Sequence, residues 1–233
     1  MSSSILRTLI PSQYTCMVCY RELPRANVRS LCADCCKKLP YVTSPCEKCG
    51  KQINEKHRLC EGCAKEKRIF VLNRSAFCYS GEIRQAYLRF KFGEKRYTAF
   101  FFAQFIKDVY YQYGYECDGV VAVVGYKKKR FQGRNHAELL ARAVAKTLGL
   151  PYLNGLYKKQ GRKQVGLSGI ERRKNIEGAF YVQGDAFYKK RVLVVDDVFT
   201  TGSTMNEVAK TLRKEGKAKE VYGLTLFNVE DPT

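Results

Sequence analysis

Hydrophobic and polar positions divide this chain into a polar, cysteine-punctuated first part and a second part in which apolar runs alternate with helix-period segments. The clearest run is Val192, Leu193, Val194 and Val195, continuous in the manner of a strand buried on both faces of a parallel sheet. Residues 205–215 follow with Val208 and Leu212 four apart, and Gly216 is a helix stop. Residues 118–124 (D-G-V-V-A-V-V) predict another buried strand. Residues 135–148 predict an amphipathic helix with apolar positions 139, 140, 143, 144 and 148 on one face, ended by Gly149 and Pro151. Residues 70–80 are rich in strand formers, and Gly81 punctuates them. Residues 82–92 then place Ile83, Ala86, Tyr87 and Phe90 at helical spacing, and residues 98–113 make a longer, strongly aromatic helix. The spacing of those aromatics fits a buried helical face; a base-stacking platform is the alternative. With a final strand at 221–227, the order of elements describes a parallel α/β sheet flanked by helices. Ligands bind such sheets at the carboxyl ends of strands, so the loop after Val124 and the turn after Val195 are expected on one rim.

Residues 1–68 lack this pattern. Their cysteines fall as Cys16-x2-Cys19, Cys32-x2-Cys35, Cys46-x2-Cys49 and Cys60-x2-Cys63. Each C-x2-C offers two thiolates to a tetrahedral zinc, and two such knuckles close a site. Two consecutive ribbons are the simplest assignment, with a cross-braced pairing as the alternative and one or two structural zinc ions. Few large apolar residues lie here, so metal would supply much of the folding free energy. Cys36 offers a second thiol beside Cys35, His57 reads as a solvated loop residue, and Cys78 and Cys117 read as core thiols. The expected division is a zinc-ribbon module over 1–68 and an α/β domain over 69–233.

Charge changes the picture more than length does. Over 233 residues, 42 Lys and Arg face 22 Asp and Glu, a balance of +20. Each zinc held by four thiolates has a formal charge of −2, so two filled sites lower this only to about +16. A surplus of this size favours polyanionic partners, nucleic acid or an anionic membrane surface. No run reaches the roughly 20 apolar residues of a membrane helix, and the first residues lack a leader pattern. A cytoplasmic place is therefore expected, with peripheral association at the inner face of the membrane. Candidate nucleic-acid contacts are Lys127, Lys128, Lys129, Arg130 and Arg134 in one basic loop, and Lys158, Lys159, Arg162, Lys163, Arg172, Arg173 and Lys174 in a second. Arg89, Lys91, Lys95 and Arg96 flank Phe90, Phe92 and Gly93 in a further basic, aromatic turn.

The chemistry centres on residues 196–204, D-D-V-F-T-T-G-S-T. Asp196 and Asp197 stand where the aliphatic strand should end, and Thr200, Thr201, Gly202, Ser203 and Thr204 form a hydroxyl-rich turn into a helix. Strand, turn and helix N-terminus make an anion site, because free backbone N–H groups and the helix dipole converge there. The carboxylates would repel a phosphate placed on them, so they suit vicinal ribose hydroxyls while the turn holds the phosphate. A ribose 5-phosphate is the expected ligand.

This stretch resembles the phosphoribosyl pyrophosphate (PRPP) motif of type I phosphoribosyltransferases. Residues 164–180 (Q-V-G-L-S-G-I-E-R-R-K-N-I-E-G-A-F) closely resemble the Q-x-G-L-S-x-x-E-R-x-x-N-x-x-G-A-F block of the ComF family, and residues 130–141 match its R-G-F-N-Q-A-E-L-L-A helix entry more loosely. With the paired knuckles the resemblance spans nearly the whole chain. It implies a zinc-binding segment ahead of a phosphoribosyltransferase-like domain, in a competence factor that handles single-stranded DNA during uptake beside a ComFA-like helicase ATPase. Family members often have V-P-V-P where this chain has Val121, Ala122, Val123 and Val124, so the rigid loop geometry of two prolines is missing. The alternative is an active PRPP-dependent phosphoribosyltransferase of the nucleotide salvage type, with Mg2+ bridging the pyrophosphate. No base-recognition element or proton donor stands out, and a histidine at a helix start, His136, reads as structural. The balance leans to a non-enzymatic role.

Overall fold

The computed structural model describes residues 14–24, 29–93, 97–124, 136–159 and 176–229. The basic loop over 125–135, most of the second basic segment (160–175) and residues 94–96 lie outside them. Two short strands, β1 (Tyr14–Thr15) and β2 (Glu22–Leu23), pair antiparallel ahead of a short helix, α1 (Ala33–Lys37); α2 (Glu61–Lys65) closes the second cysteine cluster. The α/β part then runs β3 (Asn73–Cys78), α3 (Gly81–Phe92), α4 (Thr98–Gln112), β4 (Gly119–Ala122), α5 (His136–Leu148), β5 (Leu156–Lys158), β6 (Phe180–Val182), β7 (Arg191–Phe199), α6 (Ser203–Lys214) and β8 (Glu220–Asn228).

Four strands form one parallel sheet in the order β3-β8-β7-β4, and β5 and β6 make a separate antiparallel pair. The expected fold class is found: a parallel sheet flanked by helices behind a cysteine-rich module. Alternate residues of β7 explain its aliphatic run. Leu193 and Val195 pack with α3, α4 and α5, while Val192 and Val194 pack with Met205, Val208 and Leu212 of α6. Both faces are covered, so every second residue need not be polar. The aromatic helix α4 is core, with Phe101, Phe102 and Phe105 buried, although Phe100 and Tyr111 reach solvent. Among the described residues no helix is long and apolar enough to cross a membrane.

The cysteine clusters are built into opposite sides of this sheet. Cys16, Val18, Leu31, Cys32 and Cys35 join the core on the α3/α4 side, whereas Cys46, Cys49, Cys60 and Phe70 join the core on the α6 side. Polar contacts follow the same division. Arg89 of α3 donates to the Val18 carbonyl at 2.6 Å, and Arg29 pairs with Asp108 of α4 at 2.7 Å. On the other side the buried Arg74 of β3 donates to the carbonyls of Cys46 (3.2 Å) and Glu47 (3.1 Å), and Asn73 Nδ2 donates to Cys49 O at 2.8 Å. Gly50, with φ of +72°, lets the knuckle approach so closely that a Cβ there would lie 2.6 Å from the Asn73 carbonyl oxygen.

Candidate functional sites

The knuckles pair consecutively. The four Sγ atoms of Cys16, Cys19, Cys32 and Cys35 lie within 4.8 Å of one another, as do those of Cys46, Cys49, Cys60 and Cys63. A tetrahedral zinc with Zn–S bonds near 2.3 Å has S···S edges of about 3.8 Å. The Cys19–Cys32 separation is 3.8 Å and the Cys49–Cys60 separation 3.5 Å, so both donor sets fit structural zinc. Backbone N–H groups also face the sulfurs, Cys35 N–H to Cys32 Sγ at 3.4 Å and Cys60 N–H to Cys46 Sγ at 3.3 Å. Cys36 is exposed and outside the cluster. Cys117 is a core thiol whose pKa burial pushes up to about 12.

The acid pair sits inside β7 and not at its end, because β8 is equally long and keeps supplying ladder partners, Thr225 for Asp196 and Phe227 for Val198. The two carboxylates then diverge. Asp197 turns to the α3 side, accepting from the Tyr87 hydroxyl and from Lys91 Nζ at 3.0 Å, while its other oxygen accepts Val198 N–H at 2.8 Å. Burial alone would raise its pKa, but Tyr87 and Lys91 hold the carboxyl below the usual range. Asp196 accepts Asp197 N–H at 2.9 Å, and burial together with the adjacent Asp197 charge pushes its pKa well up. Lys158, at the end of β5, has its pKa lowered by burial and raised by the Asp196 charge. His136, at the start of α5, packs edge-on against Phe90, and burial and the Lys91 charge lower its pKa.

Beyond the strand, Thr200 and Thr201 are exposed and Gly202 opens α6 with φ of +76°. Glycine suits this left-handed geometry, and the first N–H groups of a helix have no acceptor within the helix. The Thr201 and Ser203 hydroxyls lie 2.9 Å apart, and Asn206 N–H donates to Gly202 O at 2.9 Å. A Cβ on Gly202 would meet the Phe199 ring at 2.4 Å. Gly202→Ala is therefore expected to cost about 1–2 kcal/mol from steric crowding and a disfavoured φ, read as a lower Tm. Val123 N–H donates to the Val195 carbonyl at 3.0 Å, which sets the end of β4 beside the acid pair on the expected rim.

Two supporting residues had little signal in the sequence. Tyr87 reads as core by spacing, but a buried phenol seeks a partner. Arg68, 8% exposed, gave no motif, yet its Nη2 donates to the Thr201 carbonyl at 3.2 Å and its Nη1 pairs with Glu66 at 3.5 Å. Through Arg68 the second cysteine cluster touches the turn, and a cavity of about 280 Å3 between them is lined by Lys51, Lys65, Glu61, Thr200 and Thr201. Of the predicted nucleic-acid contacts, Lys158 and Lys159 stand at the β5 end. Lys127, Lys128, Lys129, Arg130, Arg134, Arg162, Lys163, Arg172, Arg173 and Lys174 lie outside the described residues.

Comparison with known proteins adds three relationships. The double zinc ribbon domain family matches residues 5–70. "Competence protein F" of Haemophilus influenzae is 31% identical over 225 residues, covering 91% of this chain and 96% of that protein, and "Competence protein ComFC" of Streptococcus pneumoniae is 29% identical, covering 88% and 90%. An amidophosphoribosyltransferase of Schizosaccharomyces pombe is 36% identical over 88 residues, which is 37% of this chain and 16% of that enzyme.

Proposed function

Because the chain belongs to the ComF family of competence proteins, we propose that it handles single-stranded DNA during uptake and carries a ribose-phosphate pocket of the PRPP type. The observation that carries the pocket is the acid pair of β7 followed by the left-handed Gly202 turn at the start of α6. Asp196, directed away from the Tyr87–Lys91 pair, would accept the ribose hydroxyls. The N–H groups of the first turn of α6, with the Thr201 and Ser203 hydroxyls, would take the 5-phosphate. Asp197 is the supporting member, already bonded within the protein. Mg2+ would enter with a pyrophosphate and be held mainly by its oxygens and water. We keep 1–68 and 69–233 as the two units, the first bearing zinc and docking a ComFA-like ATPase. The basic loops at 127–134 and 158–174 would bind the phosphate backbone, at the inner face of the membrane.

Calorimetric titration of PRPP and of an oligothymidylate into the wild type and into Asp196→Ala/Asp197→Ala tests this. PRPP affinity should fall at least tenfold in the variant, about 1.4 kcal/mol, while oligonucleotide affinity persists and weakens steeply with salt. Oligonucleotide binding indifferent to salt would contradict the backbone contacts. Pyrophosphate release that needs both an added base and the acid pair would instead establish the phosphoribosyltransferase.

A further inference from the structure

The end of α6 opposite the phosphate turn borders an open groove of about 770 Å3 in which six of nine lining residues are basic and one, Glu220, is acidic. The cations come from separate segments. Lys67 lies on the chain leaving the second ribbon, Arg213 and Lys214 on the last turn of α6, and Lys219 on the loop into β8. All four are exposed. Cations at a helix C-terminus offset its dipole, which accounts for Arg213 and Lys214 but not for Lys67 and Lys219. Between them the floor is apolar, with Ile69 44% and Val71 41% exposed. A mainly positive lining around an exposed apolar strip matches a polyanion that also has flat apolar faces to bury.

We propose that this groove, lined by Lys67, Arg213, Lys214 and Lys219 over Ile69 and Val71, is a second binding surface for single-stranded nucleic acid, separate from the pocket at the other end of α6. A single strand presents phosphates and unpaired base faces together, whereas a duplex hides its base faces and a bilayer cannot follow a concavity. The two ends of the 12-residue α6 are about 18 Å apart at 1.5 Å per residue. A strand on the groove therefore leaves the ribose-phosphate pocket free. This inference rests on the single-strand reading above, but it assigns contact to residues outside the two basic loops.

The test is fluorescence anisotropy of a labelled oligothymidylate with the full zinc-loaded chain as wild type and as Lys67→Gln/Arg213→Gln/Lys214→Gln/Lys219→Gln. Single-strand contacts contribute a slope of about 0.7 each to the fall of log K with log salt, so the variant should flatten that slope by about 2–3 and lose at least thirtyfold in affinity at low salt. Its PRPP titration and its Tm should match the wild type; if Tm falls, Lys219→Gln and Lys67→Gln alone, which leave the helix untouched, should each flatten the slope by about 0.7. Wild-type affinity and slope in these variants would overturn the groove and leave the wider DNA-handling role standing. No oligonucleotide binding by the wild type would overturn both. A variant that loses only co-sedimentation with anionic vesicles would assign the groove to membrane, against this proposal.

Discussion

Removing metal from both ribbons by chelation, or from the second alone by Cys49→Ser, is expected to lower the melting temperature of the whole chain by at least about 10 °C in a single calorimetric transition. Structural zinc contributes about 10 kcal/mol of folding free energy in small sites. Here that energy is connected to the sheet. Cys46, Cys49 and Cys60 belong to the same core as Val192, Val194 and Leu212. Without the knuckles, the buried Arg74 guanidinium loses the carbonyls of Cys46 and of Glu47 next to it, so that Nη1 keeps only the Asn73 carbonyl and Nη2 loses its acceptor, and Asn73 Nδ2 loses Cys49 O. Buried donors left without acceptors cost about 1–3 kcal/mol each. Arg68 would also release the Thr201 carbonyl, so PRPP affinity should fall together with zinc content. Two separate transitions, with the upper one unmoved by chelation, would show instead that the ribbon folds on its own and that its contacts with β3 add nothing.

The acid pair should show unequal stability effects at neutral pH. Asp197→Asn is expected to destabilise by about 1–2 kcal/mol, because Lys91 and the Tyr87 hydroxyl lose a charged acceptor in a site where the Asp197 side chain is 19% exposed. Asp196→Asn is expected to leave stability unchanged or to raise it, because it removes a group whose ionised form burial and the adjacent Asp197 carboxylate disfavour. The pH dependence has matching signs. Asp197, with its folded pKa below the unfolded value, contributes stability present above the usual carboxylate range and lost as pH falls through its folded pKa. Asp196, with its pKa raised, opposes folding increasingly as pH climbs from the unfolded value toward the folded one. Denaturant titration of both variants at neutral and acidic pH reads this directly. Equal destabilisation by the two would mean that Asp196 is paired as securely as Asp197. A stabilising Asp196→Asn that also loses PRPP would identify a carboxylate retained for binding at the expense of stability.

Much of this protein is legible without coordinates, for reasons of local chemistry. A buried parallel strand must be apolar on both faces, so Val192–Val195 announces itself; a turn that needs positive φ and close approach needs Gly202; and four C-x2-C pairs have little use other than metal. Three things were decided only by the tertiary structure. The first is zinc pairing: spacing permits consecutive or crossed knuckles, and the sulfur positions select consecutive ones. The second is the acid pair. Adjacent aspartates look equivalent along the chain, but neighbouring residues of a strand face opposite ways, so only Asp197 reaches Tyr87 and Lys91, 110 and 106 positions away. The third is the place of the cysteine module. Composition is silent on which faces of the sheet the module meets; the ribbons cover opposite faces, and Arg68, just after the second of them, reaches the Thr201 carbonyl. Local preference decides which element forms; long-range contact decides which of two like groups is buried, paired or left open to a ligand.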